Sequence, residues 1–383
     1  MDQTKLDAIN KKFGFKIQYI LQSKKMKDHC NRFLDQTPEF HRLGKIFNIV
    51  ATCKKPQISY NKSLPDDTVS KDTMIGYTLA FYHYFDSLTG NKYNYYGKTM
   101  GTMDLVEFSD TGRSSTGYIH NHKTGNTDLK ITISTEQVAN NHPVLAHELW
   151  HSFDQKNWTL SDKPYGKASF LGEIGPMYIE NAYKDWFLKE IEKNGSFDPN
   201  TSKEMHEKLE HVFGDVRYFD NIDKAIDAYL DYLIVGTITS LNPKEQQKYM
   251  EIIADNYRVL WGDNILGSKI DQIINFIYGH DHYDPMMEGR YIIGAAINKG
   301  VKDSGQPEAL VMDKMAQLNS NILDLNKLDT YNLTSAFDIA TTHFDLPSIE
   351  KLTNDLAKDI NTRSSNYNPS GPGVNPGIDD PAK

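Results

Sequence analysis

Two histidines and a glutamate in the run NNHPVLAHELWHSFDQ, residues 140–155, have the types and spacing to build a hydrolytic metal site. On an α-helix, residues four apart share a face about one turn apart, so His147 and His151 converge on a single ion. Glu148 projects about 100° round the axis from His147, beside the ion rather than on it. From there its carboxylate can hold and deprotonate a water on the metal, which is the chemical reason for the spacing H-E-x-x-H. With 13 histidines among 383 residues, the spacing arises by chance roughly 0.02 times per chain. Context raises its weight: Asn141 is a plausible cap and Pro143 suits a first helical turn, while Val144, Leu145, Leu149, Trp150 and Phe153 supply apolar anchoring.

An open four-coordinate site needs a third protein ligand. Glu173 in FLGEIGPMYIEN, 22 residues after His151, is the nearest strong candidate, with Glu180 in reserve. Seven apart, the two share a face of a continuous helix, where one could bind metal and the other orient a histidine. Pro176 disfavours an uninterrupted helix there, and Gly172 makes a kink easier to tolerate. Asp154 also falls on the ligand face, but so near on the same straight helix that it is expected to accept a hydrogen bond from a ligand imidazole instead. Further along, YGHDHYDPMMEGR, residues 278–290, brings His280, His282 and Tyr283 together. These are candidates for a donor to a developing oxyanion, or members of a polar turn before a helix starting near Pro285. His120 and His122 alternate as on a strand and are expected to face solvent.

These residues must be carried by a scaffold of mixed type. Residues 1–54 read as helical, with Leu6, Ile9, Phe13, Ile17, Ile20 and Leu21 at three- and four-residue spacing. Residues 55–72 are turn-rich and polar, as in a linker, and 74–88 form an apolar helix expected in the core. The runs LVEFS, TGYIHNH and LKITIS predict a small sheet, with LKITIS as an edge strand able to pair with an extended substrate. Helices are expected over 143–156 and about 176–193, the latter stopped by Asn194-Gly195. From 202 to about 345 the pattern is helical again, and the Pro-, Gly- and Asn-rich tail beyond Asn361 is too polar to order itself. The expected class is α+β, divided as a helical region 1–65, a catalytic core 66–200, a helical region 201–360 and a disordered tail 361–383.

The formal charge of −9 argues against a general nucleic-acid binder, whose affinity would rest on a basic surface. Two cysteines, Cys30 and Cys53, make neither a disulfide framework nor a CxxC site, and both are expected reduced and buried. No apolar run has the length of a signal peptide or a membrane span. The expectation is a chain made in the cytoplasm without a Sec signal peptide.

The segment from about 95 to 190 resembles the zincin metallopeptidases, and within them is similar to the NleD-type bacterial effector and toxin peptidases. The likeness is carried by STGYIHNH followed by a strand, then HPVLAHELWHSFD, then GEIGPMYIENAYKDW with its Glu180-Asn181 pair. The HExxHxxD form that ends in Asp154 is also similar to lethal factor-type peptidases. The resemblance implies a zincin-like core, Zn2+ held by His147, His151 and Glu173, and general-base catalysis by Glu148. It further implies an effector, exported by a specialised secretion system, that cleaves a specific host protein. The alternative is a non-catalytic helical binding module, or an inactive peptidase relic, that recognises a partner protein; its motive is the helical portion after 202, to which the resemblance does not extend.

Overall fold

Helical apolar spacing at the N-terminus produces α1 (Gln3–Gln22), α2 (Lys24–Gln36) and α3 (Phe40–Ala51). The computed structural model describes residues 3–37, 39–56, 71–109, 114–120, 127–134, 142–154, 171–194, 217–322 and 333–367. α1 buries Ile9, Phe13 and Ile20 along one stripe, and Ser23 then caps α2 by accepting from the Met26 amide at 3.3 Å. α3 is buried along most of its length because it lies against the long α8 (Arg217–Thr239), itself largely buried. Around α8 pack α9 (Pro243–Asn256), α10 (Gly262–Tyr278) and α11 (Gly289–Asp303), and α14 (Ile349–Asn366) closes over α11 and α3. α12 (Glu308–Ile322) and α13 (Leu333–His343) complete this side.

The second layer carries the sheet. α4 (Lys71–Leu88) and α5 (Tyr95–Thr102) lead into β1 (Val106–Ser109), β2 (Ser115–His120) and β3 (Thr127–Ser134). The strand order is β1-β3-β2, with β3 parallel to β1 and antiparallel to β2. Three strands fall on the three runs expected, but LKITIS is the central strand and not an edge. β1 pairs with it on one side, Val106 opposite Ile131, and β2 pairs on the other, Thr116 opposite Ile131. Among the described residues β1 and β2 are the two edges. Ile131 and Ile133 are fully buried on one face of β3, and α6 (His142–Asp154) packs across β2 and β3. The described chain is thus α+β, mostly helical with a small mixed sheet.

One apolar core runs through both layers, with members from Ile9 to Ile360 and contributions from every region of the described chain. An aromatic group seals the base of α6: Tyr95 and Trp150 stand 4.9 Å apart between ring centroids, Phe85 and Tyr95 5.1 Å. The Tyr82 hydroxyl donates to the Ala146 carbonyl at 2.7 Å, tying α4 to the same helix. The last helix runs past Asn361 to Asn366, with Ser364 buried and the Tyr367 ring against Phe219, so ordered structure extends into the segment expected as a tail. The rest of that tail, 368–383, and residues 57–70 of the expected linker lie outside the described residues, as does Asn141. No described helix is long and apolar enough to cross a membrane.

α7 (Ile174–Asn194) corrects the expected kink. Pro176 sits in its first turn, where an amide has no helical partner to lose, so the helix runs on unbroken. Gly175 has a different duty. A Cβ there would lie 2.3 Å from the Trp150 indole nitrogen, so glycine lets α7 approach α6 across a fully buried ring. Gly175→Ala is expected to destabilise the fold by about 1–3 kcal/mol through overpacking, seen as a lower denaturation midpoint; an unchanged midpoint would show that the two helices are not held at this distance.

Candidate metal centre

α6 is anchored by Leu145, Ala146, Leu149 and Trp150, all fully buried, which leaves one face of the helix turned toward a cleft. On that face His147 and His151 stand one turn apart with their Nε2 atoms 3.2 Å from each other. Glu173, on the turn just before α7, inserts its carboxylate between them. Its Oε2 lies 3.3 Å from His147 Nε2, and its Oε1 lies 3.6 Å from His151 Nε2. One ligand atom from each of the three residues falls within 4.8 Å of the others.

Two observations test whether a cation fits. Glu173 is 1% exposed and its Oε2 is buried with no hydrogen-bond partner, a costly state for a carboxylate oxygen unless something positive meets it. Burial pushes its carboxyl pKa up, but His151 and His147 outweigh this and hold it well below the usual carboxylate range. The group therefore stays anionic. Two imidazole nitrogens and one carboxylate oxygen form the N,N,O set of an open zinc site, so the residues present fit that ion.

A second carboxylate serves the ring from behind. Glu180 Oε2 is 2.9 Å from His147 Nδ1, close enough to pair though out of line for a hydrogen bond as the groups now lie, and Glu180 Oε1 pairs with Arg217. The alternatives Glu173 and Glu180 are thus separated by side: one faces Nε2, the other Nδ1. Glu148, 7% exposed, points elsewhere. The Thr116 hydroxyl on β2 lies 2.8 Å from both its Oε2 and its backbone carbonyl, so the edge strand orients the candidate base.

Comparisons with family models, curated proteins and solved structures find no match for this chain. The reading of the site therefore rests on its own geometry.

A cleft of about 980 Å3 opens beside these groups, lined by His147, Glu148 and Glu180 and, from the other wall, by Arg217, Lys224 and Tyr291. Behind that wall Arg290 Nε lies 3.2 Å from Glu173 Oε1, and Arg290 Nη2 donates to the Tyr291 hydroxyl at 3.2 Å. Burial and the Glu173 charge raise the Tyr291 phenol, which keeps its proton.

The cluster His280, His282 and Tyr283 does not line this cleft. His280 and His282 are exposed on the connection between α10 and α11. Tyr283 is 1% exposed, and its hydroxyl donates to Asp231 Oδ1 at 2.8 Å. Asp231 also accepts from the Met286 amide at 3.0 Å and from Lys269 at 3.1 Å. A large amphipathic ring went to satisfy a buried carboxylate, and this fastening sets where α11 begins. Tyr291, the residue that follows this segment, does line the cleft. Asp154 ends α6, and its side chain, like that of His120 and the whole of His122, lies outside the described residues.

After exhaustive dialysis the protein is expected to retain about one zinc per chain by elemental analysis. His147→Ala and Glu173→Gln should lose it, whereas Glu180→Gln should bind about 10–100-fold more weakly without losing the site. Normal retention by Glu173→Gln would exclude it as a ligand.

Proposed function

We propose that this protein is a zinc-dependent endopeptidase that hydrolyses a peptide bond in a protein substrate. The observation that carries the reading is the convergence of His147, His151 and Glu173 on one point, with His147 and its neighbour Glu148 lining the adjacent cleft. When bound, zinc would polarise the scissile carbonyl and make a coordinated water acidic enough to ionise near neutral pH. The remaining work falls to side chains. Glu148 takes the proton of the attacking water, and as the C–N bond breaks it delivers that proton to the leaving amine, which restores the carboxylate. Thr116 holds Glu148 Oε2, leaving Oε1 for this transfer. Tyr291, which lines the same cleft with its proton kept by burial and its oxygen held by Arg290, is the residue we assign to donate to the carbonyl oxygen as charge builds there.

The sheet supports an extended substrate as well. β2 offers a free edge among the described residues, antiparallel to its neighbour and touching the base through Thr116. A zincin-like core, and an effector acting on a host protein, are the parts of this proposal that rest on the resemblance of HPVLAHELWHSFD and the segment after it.

Glu148→Gln is expected to keep its zinc while losing about 10²–10⁴ of turnover, the range for a positioned general base. His147→Ala should lose both. Incubating wild type and Glu148→Gln with a host-cell lysate, followed by mapping of new N-termini, should show cleavage with wild type only. Near-normal turnover by Glu148→Gln would remove the base from the mechanism. Tyr291→Phe should lower kcat by about 10²-fold with KM little changed.

A further inference from the structure

Lys224 is a cation in the wall of this cleft with no anion to match it. It stands on α8, half-buried, with its Nζ 3.4 Å from the centroid of the Tyr291 ring. Among the described residues no carboxylate oxygen comes within ion-pair distance. Asp220, one turn earlier on α8, and Glu288 and Glu173 act on it only at longer range, while Arg217 opposes it. Of the other cations that line the cleft, Arg217 pairs with Glu180, Lys184 with Asp185, Lys299 with Asp303 and Arg363 with Asp359, while Lys189 and Lys302 are exposed to water, which Lys224 is not. Holding an ammonium out of water without a counter-ion is unfavourable, and an aromatic face offsets only part of the loss. In a binding cleft the missing anion is one that the ligand brings.

We propose that Lys224 selects an anionic side chain of the substrate, placed next to the bond to be cut. This rests on the peptidase reading and adds a substrate class to it. The same cleft holds His147 and Glu148, and the ring under Lys224 belongs to the residue assigned to the carbonyl oxygen, so an anion bound by Nζ lies within a residue or two of the reacting carbonyl. A chain of net charge −9 repels acidic segments at long range. A local cation in a partly dried wall, where charge-assisted hydrogen bonds are strong, is what would make such a segment acceptable. The anion is either a carboxylate or a phosphate monoester.

The test uses positional pools of octapeptides carrying Glu, its isostere Gln, or phosphoserine at one position at a time. Binding is read by fluorescence anisotropy on the zinc-loaded Glu148→Gln protein, and cleavage of the same pools on wild type. At one position beside the scissile bond, Glu is expected to bind about tenfold more tightly than Gln, the worth of a charged hydrogen bond. The Glu-to-Gln ratio should fall to near one with Lys224→Met and persist with Lys224→Arg. A phosphoserine pool that binds more tightly than Glu, with the same loss in Lys224→Met, also supports the proposal and names phosphate as the source. If Lys224 only props the Tyr291 ring, Lys224→Met lowers kcat for all pools and leaves the ratio as it was, which overturns the proposal. Cleavage with no preference between Glu and Gln overturns it too, while leaving the peptidase intact. Absence of cleavage by wild type in every pool and in lysate removes both.

Discussion

A carboxylate that is 1% exposed, set between two imidazoles, is the constraint on which the rest of the structure depends. Taking Glu173 out of water costs several kcal/mol unless partners surround it. Those partners come from separate parts of the chain: His147 and His151 from α6, and Arg290 from α11. Each must be delivered to within a few ångströms by an element with its own apolar anchor. Fully buried Trp150 fixes α6, Gly175 admits α7 alongside it, and the Tyr283–Asp231 fastening fixes the start of α11. Loosening any of these contacts would leave a buried charge unmatched.

This arrangement changes the meaning of the helices after residue 217. They form the second wall of the cleft beside the HExxH helix, since α8 supplies Arg217 and Lys224 and α11 supplies Tyr291, with Arg290 behind it against Glu173. α11 comes so close to α7 that a Cβ on Gly294 would sit 3.1 Å from the Glu173 carbonyl oxygen. The shared core carries the same message, since residues of α3, α8, α11 and α14 bury one another. A fragment ending near residue 200 would retain the HExxH helix while losing both cations that face Glu173 and Glu180.

What could be read in advance was what depends on local spacing. A pair of histidines one turn apart needs no tertiary information to be recognised, nor do a helix face, a first-turn proline or three short strands. Glu173 and Glu180 were both visible, but which nitrogen each would face depended on how α7 enters, and that depends on Gly175 against Trp150. The order of the strands was not legible because LKITIS has the alternation of a half-buried strand whether one neighbour or two pair with it. Arg217, Lys224 and Tyr291 carry no motif, and Thr116, though it stands in STGYIHNH, has nothing there to mark it as the partner of Glu148. Each is an ordinary residue type at an unremarkable spacing, brought to the cleft by folding over distances that a linear pattern does not encode. Tyr283 shows the converse: a conspicuous cluster of polar residues whose tyrosine had a structural debt to Asp231.

The two oxygens of Glu173 meet different surroundings, and the difference bears on how the proposed cation would be held. Arg290 lies 3.2 Å from Oε1, while Oε2 has no hydrogen-bond partner and looks toward His147 Nε2. The guanidinium is within ion-pair distance of one oxygen without hydrogen bonding to it through Nε, and the other oxygen faces the ring of His147. This favours binding through a single oxygen. A positive neighbour would also weaken this carboxylate as a donor to any cation held there, which would make water on that cation more acidic. On the opposite side Glu180 acts in the other sense, since an anion at His147 Nδ1 makes Nε2 a stronger donor, and Arg217 limits how far that goes. The balance between one carboxylate weakened by an arginine and one imidazole strengthened by a glutamate is a property of the packed helices, and no HExxH helix carries it by itself.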